Sequence, residues 1–111
     1  MRALFANELQ HFEKVLSLKL AALVERDISS SGYVVDTVTA GVWCLLTTQG
    51  YRQAVLKAVN LGGDTDTTGI VAGGLVGIHD GLAAVPENWR TAMARAGDLT
   101  TLFEQFAASC P

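Results

Sequence analysis

Two carboxylates and three hydroxyl side chains lie close together in residues 62–69, GGDTDTTG. Asp64 and Asp66 are separated by one residue, and Thr67 follows directly. Carboxylate and hydroxyl oxygens are hard ligands, which suit Mg²⁺, Mn²⁺ or Ca²⁺ and suit zinc or copper poorly. The two glycines before Asp64 permit a sharp loop that can turn both carboxylates toward one point. One chemistry that fits this segment is therefore the binding of a divalent cation.

The same residues also fit a purely structural role. Asp66 can cap the helix that follows and Asp64 can lie in the loop before it, because negative charge is favourable at the positive end of a helix. Since Asp-x-Asp is common at helix starts, the spacing taken alone favours capping over metal binding. A phosphate-binding loop fits less well, because the segment has no lysine and its two negative charges repel phosphate.

The apolar residues around this segment recur with helical spacing along the whole chain. A first helix is predicted from apolar steps of three and four residues at Leu9, Phe12, Leu16, Leu20 and Leu23, and it breaks at residues 29–32. Asp36 is expected to cap a second helix. Later helices are predicted at about 37–48, 52–60, 67–79, from Pro86, and at 99–108. Since no run alternates with period two, the pattern predicts an all-α fold, a compact helical bundle in which residues 1–111 form a single domain or a half-domain.

The fourth predicted helix carries a stripe of glycines. Gly69, Gly73, Gly77 and Gly81 recur every four residues, and Gly74 lies beside them. Four residues advance a helix by about 400°, so these positions form one slowly drifting stripe without side chains. Each glycine costs about 1 kcal/mol relative to alanine in a helix interior. We therefore expect this helix at the centre of the bundle, where another backbone approaches it closely.

Composition and charge exclude several classes of function. The chain has 111 residues, half of them hydrophobic, and a net charge of −3 with eight scattered lysines and arginines, so the basic stripe that nucleic acids require is missing. Cys44 and Cys110 match no zinc or redox spacing, and Cys44 is expected to be a buried apolar residue. Residues 1–10 do not resemble a signal peptide, and the longest apolar run, residues 70–78, is too short to cross a bilayer. We expect a soluble cytoplasmic protein with neither a nucleic-acid nor a membrane partner.

The other candidate residues favour structural roles. His79 suits the C-terminal end of the fourth helix, where a positive charge is favourable. Trp43 and Trp89 are expected to be core residues with a polar edge. The sequence contains neither a Gly-x-Ser-x-Gly motif nor a cysteine–histidine arrangement that would support covalent catalysis.

Residues 62–89, GGDTDTTGIVAGGLVGIHDGLAAVPENW, resemble the C-terminal signature of the ADP-ribosylglycohydrolase family. The shared features are a Gly-Asp-x-Asp-Thr loop, a helix rich in glycine and alanine, a glycine turn and a Pro-Glu-x-Trp segment, in that order. Residues 30–43, SSGYVVDTVTAGVW, are similar to the Ser-Gly-Tyr helix start of the same family. Several linked features are far more specific than Asp-x-Asp alone, so the resemblance favours the metal interpretation of the loop.

The resemblance implies an all-helical hydrolase domain that binds a pair of Mg²⁺ or Mn²⁺ ions and acts on an ADP-ribosylated protein or small molecule. In such enzymes the ions hold the ribose hydroxyls beside the glycosidic carbon while water displaces the modified side chain. Residues that match the family's motifs are the metal ligands Asp64, Asp66 and Thr67 and the substrate-binding residues Gly32, Tyr33 and Gly63.

The sequence also departs from the family pattern. The family's remaining metal ligands come from N-terminal segments, an early Gly-Asp helix and a Thr-Asp-Asp-Thr stretch, and neither occurs in these 111 residues. The acidic residue expected as general acid or base is not found either, so no catalytic residue is assigned. We expect the C-terminal half of the hydrolase domain, inactive alone, with a complementing N-terminal half or a homo-oligomer. The alternative is a truncated, catalytically inactive family member that acts as a small helical interaction or structural protein.

Overall fold

The computed structural model describes residues 6–17 and 19–111, whose regular elements are all helices, with no strand. Their α-helices are α1 (Ala6–Leu9), α2 (Glu13–Leu16), α3 (Val34–Thr47), α4 (Tyr51–Val59), α5 (Thr65–Asp80), α6 (Glu87–Ala92) and α7 (Ala96–Ser109). Short 3-10 turns occur at Gln10–Phe12, Leu20–Ala22, Glu25–Asp27 and Leu82–Ala84. The predicted all-α helical bundle is therefore confirmed. The prediction that residues 1–10 are not a signal peptide falls partly on residues 1–5, which lie outside the described ranges.

The core of the bundle is built by three helices, with α5 packed against both α3 and α4. Its buried cluster consists of Leu20, Trp43, Cys44, Ala58 and Ala72. The indole N–H of Trp43 donates to the carbonyl of Leu23 at 3.0 Å, so this core tryptophan has the polar edge that was expected. Burial raises the pKa of the Cys44 thiol to about 11, which keeps the thiol protonated, and Cys44 is confirmed as a buried apolar residue.

The glycine stripe of α5 faces α4. A Cβ atom at Gly69 would lie 2.9 Å from Val59 Cγ1, and one at Gly73 would lie 3.1 Å from the Tyr51 hydroxyl oxygen. The central position of this helix is confirmed. The groups that approach it are side chains of α4, however, and not the backbone that we expected.

The first predicted helix is wrong beyond Leu16. Helix α2 ends there, and Leu20–Ala22 and Glu25–Asp27 are separate 3-10 turns. Leu20 nevertheless lies in the core, and the Leu23 carbonyl accepts the Trp43 N–H instead of a bond within a continuing helix. The segment after Leu16 thus packs on α3 through 3-10 turns and does not continue as an α-helix, although its apolar residues have helical spacing.

The start of α3 also differs from the prediction. The helix begins at Val34, so Asp36 lies in its first turn and not at the N-cap position, which Tyr33 occupies. Asp36 supports the helix start indirectly: its carboxylate accepts the Ser31 hydroxyl at 2.7 Å, and the Ser31 oxygen accepts the Tyr33 N–H at 3.1 Å.

The C-terminal helix α7 packs on α6 and contains no buried residue. Its apolar side chains Leu102, Phe103 and Phe106 are exposed. Arg95, which precedes it, has a left-handed backbone conformation with φ 57°. None of the helices in the described ranges has both the length and the apolar character to cross a bilayer.

Candidate metal and substrate site

The loop of residues 62–64 turns the chain into the N-terminus of α5. Gly62 and Gly63 adopt positive φ angles of 85° and 73°, a conformation that favours glycine. Helix α5 begins at Thr65, and Asp64 is its N-cap residue. The interpretation of Asp66 as the N-cap is therefore wrong, because the helix starts two residues before the predicted Thr67.

The Asp64 carboxylate does not cap the helix through a backbone N–H. It accepts the hydroxyl of Thr67 instead, with 3.0 Å between Thr67 Oγ1 and Asp64 Oδ1. Two of the three predicted ligands thus lie in direct contact, with the Thr67 side chain oriented toward the carboxylate.

Asp66 lies in the first turn of α5 and is exposed. Its Oδ1 accepts the backbone N–H of Thr67 at 3.0 Å. Hydrogen bonding from the Asp64 carboxyl group when that group is protonated, together with this N–H, holds the pKa of Asp66 below its ordinary value. Asp66 therefore carries negative charge at neutral pH.

No basic side chain neutralises these two aspartates within the described ranges, where the ion pairs are His79–Asp80 and Arg95–Asp98. The His79–Asp80 pair lies at the opposite end of α5, as the predicted structural role of His79 requires. The start of α5 is therefore an acidic surface that can attract a cation.

The donor set fits a hard divalent cation only in part. Two carboxylates and a hydroxyl supply oxygen ligands, which Mg²⁺ and Mn²⁺ prefer. Within residues 6–17 and 19–111, no group of three or more His, Cys, Asp or Glu side chains is arranged to hold a metal ion. The remaining positions of an octahedral ion would be filled by water, substrate or ligands from elsewhere.

The segment before α3 lies directly against this loop. The Asp64 N–H donates to the carbonyl of Ser30 at 2.7 Å. A Cβ atom at Gly63 would lie 2.2 Å from that carbonyl oxygen, so only glycine fits this approach. A Cβ atom at Gly32 would lie 3.2 Å from Asp64 Oδ2. The structure thus brings Gly32 and Gly63 together with Asp64.

Tyr33, the remaining predicted substrate residue, follows Gly32 and precedes α3. It is 54% exposed, so its ring is accessible to a ligand. The other aromatic candidate, Trp89, is half-buried and lies edge-on to Tyr51 with 6.3 Å between ring centroids. Its predicted core position is correct only in part, because it packs at the margin of the bundle.

Ser30 and Thr68 are part of the site's framework, and the sequence did not single them out. Their hydroxyl oxygens lie 2.8 Å apart in the interior. Ser30 lies in the serine-rich segment that was predicted to break the first helix, and Thr68 is next to the predicted ligand Thr67. The sequence therefore provided no reason to pair them. Only the packing of α3 against α5 shows that they meet.

A groove of about 930 Å³ extends from Asp66 along the glycine stripe. Its walls are mainly apolar and include Val55, Ile70, Ile78 and Leu82. A second cavity of about 690 Å³ lies between α6, α7 and Tyr51 and is also mainly apolar. Among the described residues that line the groove, Asp66 alone is charged.

Comparison with known families gives a match along nearly the whole chain. The sequence model described as ADP-ribosylglycohydrolase matches residues 2–111. No solved structure matches the chain significantly.

Individual relatives carry related names. The ADP-ribosylarginine hydrolase Tri1 of Serratia proteamaculans is 33% identical over 77% of this chain and 23% of its own length. The ADP-ribosyl-[dinitrogen reductase] glycohydrolase of Rhodospirillum rubrum is 38% identical over 54% of this chain and 20% of its own length. The ADP-ribosylhydrolase ARH3 of Mus musculus is 27% identical over 65% of this chain and 25% of its own length. The chain thus spans about a quarter of the length of these relatives.

Proposed function

Because the chain belongs to the ADP-ribosylglycohydrolase family, we propose that it supplies the Asp-loop part of a metal-dependent site that removes ADP-ribose from a protein or small molecule. The observation that carries this proposal is the contact between Thr67 Oγ1 and Asp64 Oδ1 at 3.0 Å, on the same helical turn as Asp66. Relatives named for the hydrolysis of ADP-ribosylarginine and of ADP-ribosyl-dinitrogen reductase support this kind of substrate.

In this proposal Asp64, Asp66 and Thr67 hold Mg²⁺ or Mn²⁺. When bound, the cation supplies Lewis acidity and a template for the ribose hydroxyls. Thr67 is already oriented by its bond to Asp64, and Asp66 adds the negative charge that attracts the ion. The acidic surface at the start of α5 is thus suited to a cation and repels a bare phosphate.

Gly32, Gly63 and Tyr33 form the proposed ADP-ribose side of the site. A glycine lets a ligand approach the backbone closely, and Gly32 and Gly63 both lie beside Asp64. Tyr33 adds an exposed aromatic ring directly after Gly32. Gly32 and Gly63 therefore let the two segments lie against each other, and Tyr33 offers an aromatic surface next to the acidic ligands.

The remaining ligands and the acid or base must come from elsewhere. We propose a complementing N-terminal half or a second copy of this chain, which would cover exposed apolar residues such as Ile70, Ile78 and Phe106. The same exposed residues favour a second candidate function, a helical interaction protein that binds a partner without catalysis. The two candidates differ in whether the start of α5 binds metal and ADP-ribose.

Calorimetric titration with ADP-ribose in the presence and absence of Mg²⁺ tests the proposal. We expect binding by the wild type that depends on Mg²⁺ and is lost in Asp64→Asn, with no hydrolysis of an ADP-ribosylated protein by the chain alone. Asp98→Asn is the matched control, because Asp98 is an exposed aspartate in the first turn of α7. Binding that is independent of Mg²⁺, or equal in the wild type and Asp64→Asn, would show that the loop is not a metal site.

A further inference from the structure

Two hydroxyl side chains from distant parts of the chain meet in the interior. Ser30 lies before α3 and Thr68 in the first turns of α5, and their oxygens are 2.8 Å apart. Thr68 is 0% exposed and Ser30 9% exposed. A buried hydroxyl without a hydrogen-bond partner is unfavourable. The Ser30 hydroxyl therefore depends on Thr68 for its hydrogen bond.

Each hydroxyl has one proton to donate, and this fixes the direction of the hydrogen bond between Ser30 and Thr68. The Thr68 hydroxyl donates its single proton to the carbonyl of Asp64 at 3.0 Å. Ser30 must then donate to Thr68. In the opposite direction, the Asp64 N–H donates to the Ser30 carbonyl at 2.7 Å. The three residues thus form a closed ring of contacts, in which the Thr68 hydroxyl both accepts from Ser30 and donates to the Asp64 carbonyl.

The ring lies directly behind the proposed site. Its Asp64 member carries a candidate ligand on its side chain, and Gly32 follows Ser30 by two residues. Gly32 is already so close that a Cβ atom there would lie 3.2 Å from Asp64 Oδ2. A small displacement of Ser30 would therefore change the space between Gly32 and the Asp64 carboxylate.

We propose that Ser30 and Thr68 are positioning residues that hold the Gly32–Tyr33 segment in register with the Asp loop. This inference rests on the proposed function, since it assumes that ADP-ribose contacts the segment and the metal ligands together. Thr68 acts through Ser30 and through the backbone carbonyl of Asp64, and its side chain is buried away from the surface where Mg²⁺ and ADP-ribose would bind. Its loss should weaken ADP-ribose binding while the metal ligands stay at the start of α5, because the Asp64 carbonyl still accepts the backbone N–H of residue 68 at 3.2 Å.

The experiment uses the 111-residue chain and two measurements on each variant. Titration calorimetry gives the affinity for ADP-ribose with Mg²⁺ present, and thermal unfolding gives the stabilisation by Mg²⁺ alone. In Thr68→Val we expect ADP-ribose affinity at least fivefold below that of the wild type, with stabilisation by Mg²⁺ unchanged. Thr68→Ser keeps the hydroxyl and should bind as the wild type does.

Two further variants separate positioning from stability. Ser30→Ala combined with Thr68→Val removes both buried hydroxyls, which is less disruptive than leaving one unpaired. This double variant should unfold at a higher temperature than Thr68→Val but still bind ADP-ribose weakly. Thr39→Val is the matched control, because the buried Thr39 hydroxyl is bonded within α3 to the Val35 carbonyl at 2.7 Å. It should keep wild-type affinity.

The outcomes distinguish this inference from the function on which it rests. Wild-type affinity in Thr68→Val or in the double variant would overturn the positioning role while leaving the proposed function standing. A parallel loss of ADP-ribose affinity and of Mg²⁺ stabilisation in Thr68→Val would also overturn it, because that result indicates general disruption of the loop. If the wild type binds neither Mg²⁺ nor ADP-ribose, the proposed function is wrong and this inference is wrong with it.

Discussion

Asp64 combines a backbone role with a side-chain role. Its N–H donates to Ser30, and its carbonyl accepts the Thr68 hydroxyl. Its carboxylate accepts the Thr67 hydroxyl and makes no capping bond with the backbone. The backbone thus fixes the position of the residue and leaves the carboxylate at the surface of the site. For this reason we propose that the Asp64 side chain is a ligand, although the residue occupies the N-cap position.

Gly32→Ala tests whether the segment before α3 belongs to the site. The added Cβ atom would lie 3.2 Å from Asp64 Oδ2, so the carboxylate must move by a few tenths of an ångström. Gly32 does not have a left-handed φ, so alanine fits the backbone and stability should be unchanged or raised by up to about 1 kcal/mol. We expect stabilisation by Mg²⁺ to fall in thermal unfolding.

Gly97→Ala is the control for this substitution, because a Cβ atom at Gly97 meets no atom within 4 Å. It should leave the response to Mg²⁺ unchanged. Equal stabilisation of Gly32→Ala and Gly97→Ala by Mg²⁺ would show that Gly32 does not belong to the proposed metal site.

The exposed residues of the candidate site could be proposed from the sequence, whereas the buried residues that support them could not. Asp64, Asp66 and Thr67 are adjacent in the chain, so their spacing alone suggests shared chemistry. Ser30 and Thr68 are 38 residues apart, and each has a local role that explains it without the other. A contact of this kind depends on how two helices pack, which a single sequence does not specify.

At the scale of elements, the packing of α3 against α5 sets the geometry of the site. Gly41 lies on the contact face of α3, where a Cβ atom would be 2.9 Å from Val71 Cγ1. Valine has little rotational freedom in a helix, so it cannot easily turn away. The absence of a side chain at Gly41 therefore permits the approach that brings Ser30 to the loop before α5.

A matched pair of glycine substitutions tests this packing. Gly41→Ala should destabilise the protein by about 1–3 kcal/mol, since the added methyl group overpacks the contact with Val71. Gly74→Ala should stabilise it by about 0.4–1 kcal/mol, because a Cβ atom there meets no atom within 4 Å and alanine favours the helix. Denaturant unfolding gives both values, and a Gly41→Ala protein as stable as Gly74→Ala would contradict the assigned contact.

The helices themselves could be predicted where the apolar period agrees with tertiary packing. Helices α3, α4 and α5 lie within three residues of their predicted bounds. The segment after Leu16 was predicted as continuous helix and is not, because Leu20 and the Leu23 carbonyl are engaged by the core around Trp43. In this segment a 3-10 turn, and not a continuous helix, places Leu20 in the core and Leu23 against it.

At the scale of the whole molecule, the described structure exposes much apolar surface. Ile78 is 87% exposed on α5, and Leu102, Phe103 and Phe106 are exposed on α7. Contiguous apolar patches above a few hundred Å² commonly mark interaction sites. This surface agrees with the proposal that another chain segment or a second copy covers the bundle.

We predict that the purified chain forms a dimer or a larger species. Light scattering across a concentration series measures this directly. Phe106→Glu places a charge on the exposed apolar face of α7 and should shift the distribution toward the monomer. Gln105→Glu adds the same charge at a neighbouring exposed position and serves as the control. A wild-type chain that stays monomeric at high concentration would show that the exposed face does not drive self-association.

The central claim is that the Asp loop binds a divalent cation, and thermal unfolding of the wild type and Asp66→Asn with and without Mg²⁺ tests it most directly. Without metal, the two proteins should differ by less than about 1 kcal/mol, because asparagine keeps an oxygen that can accept the Thr67 N–H. Millimolar Mg²⁺ should stabilise the wild type by about 1 kcal/mol, since a ligand that binds only the folded form raises its stability. Asp66→Asn should lose most of this gain. Identical responses of the two proteins to Mg²⁺ would contradict the metal site.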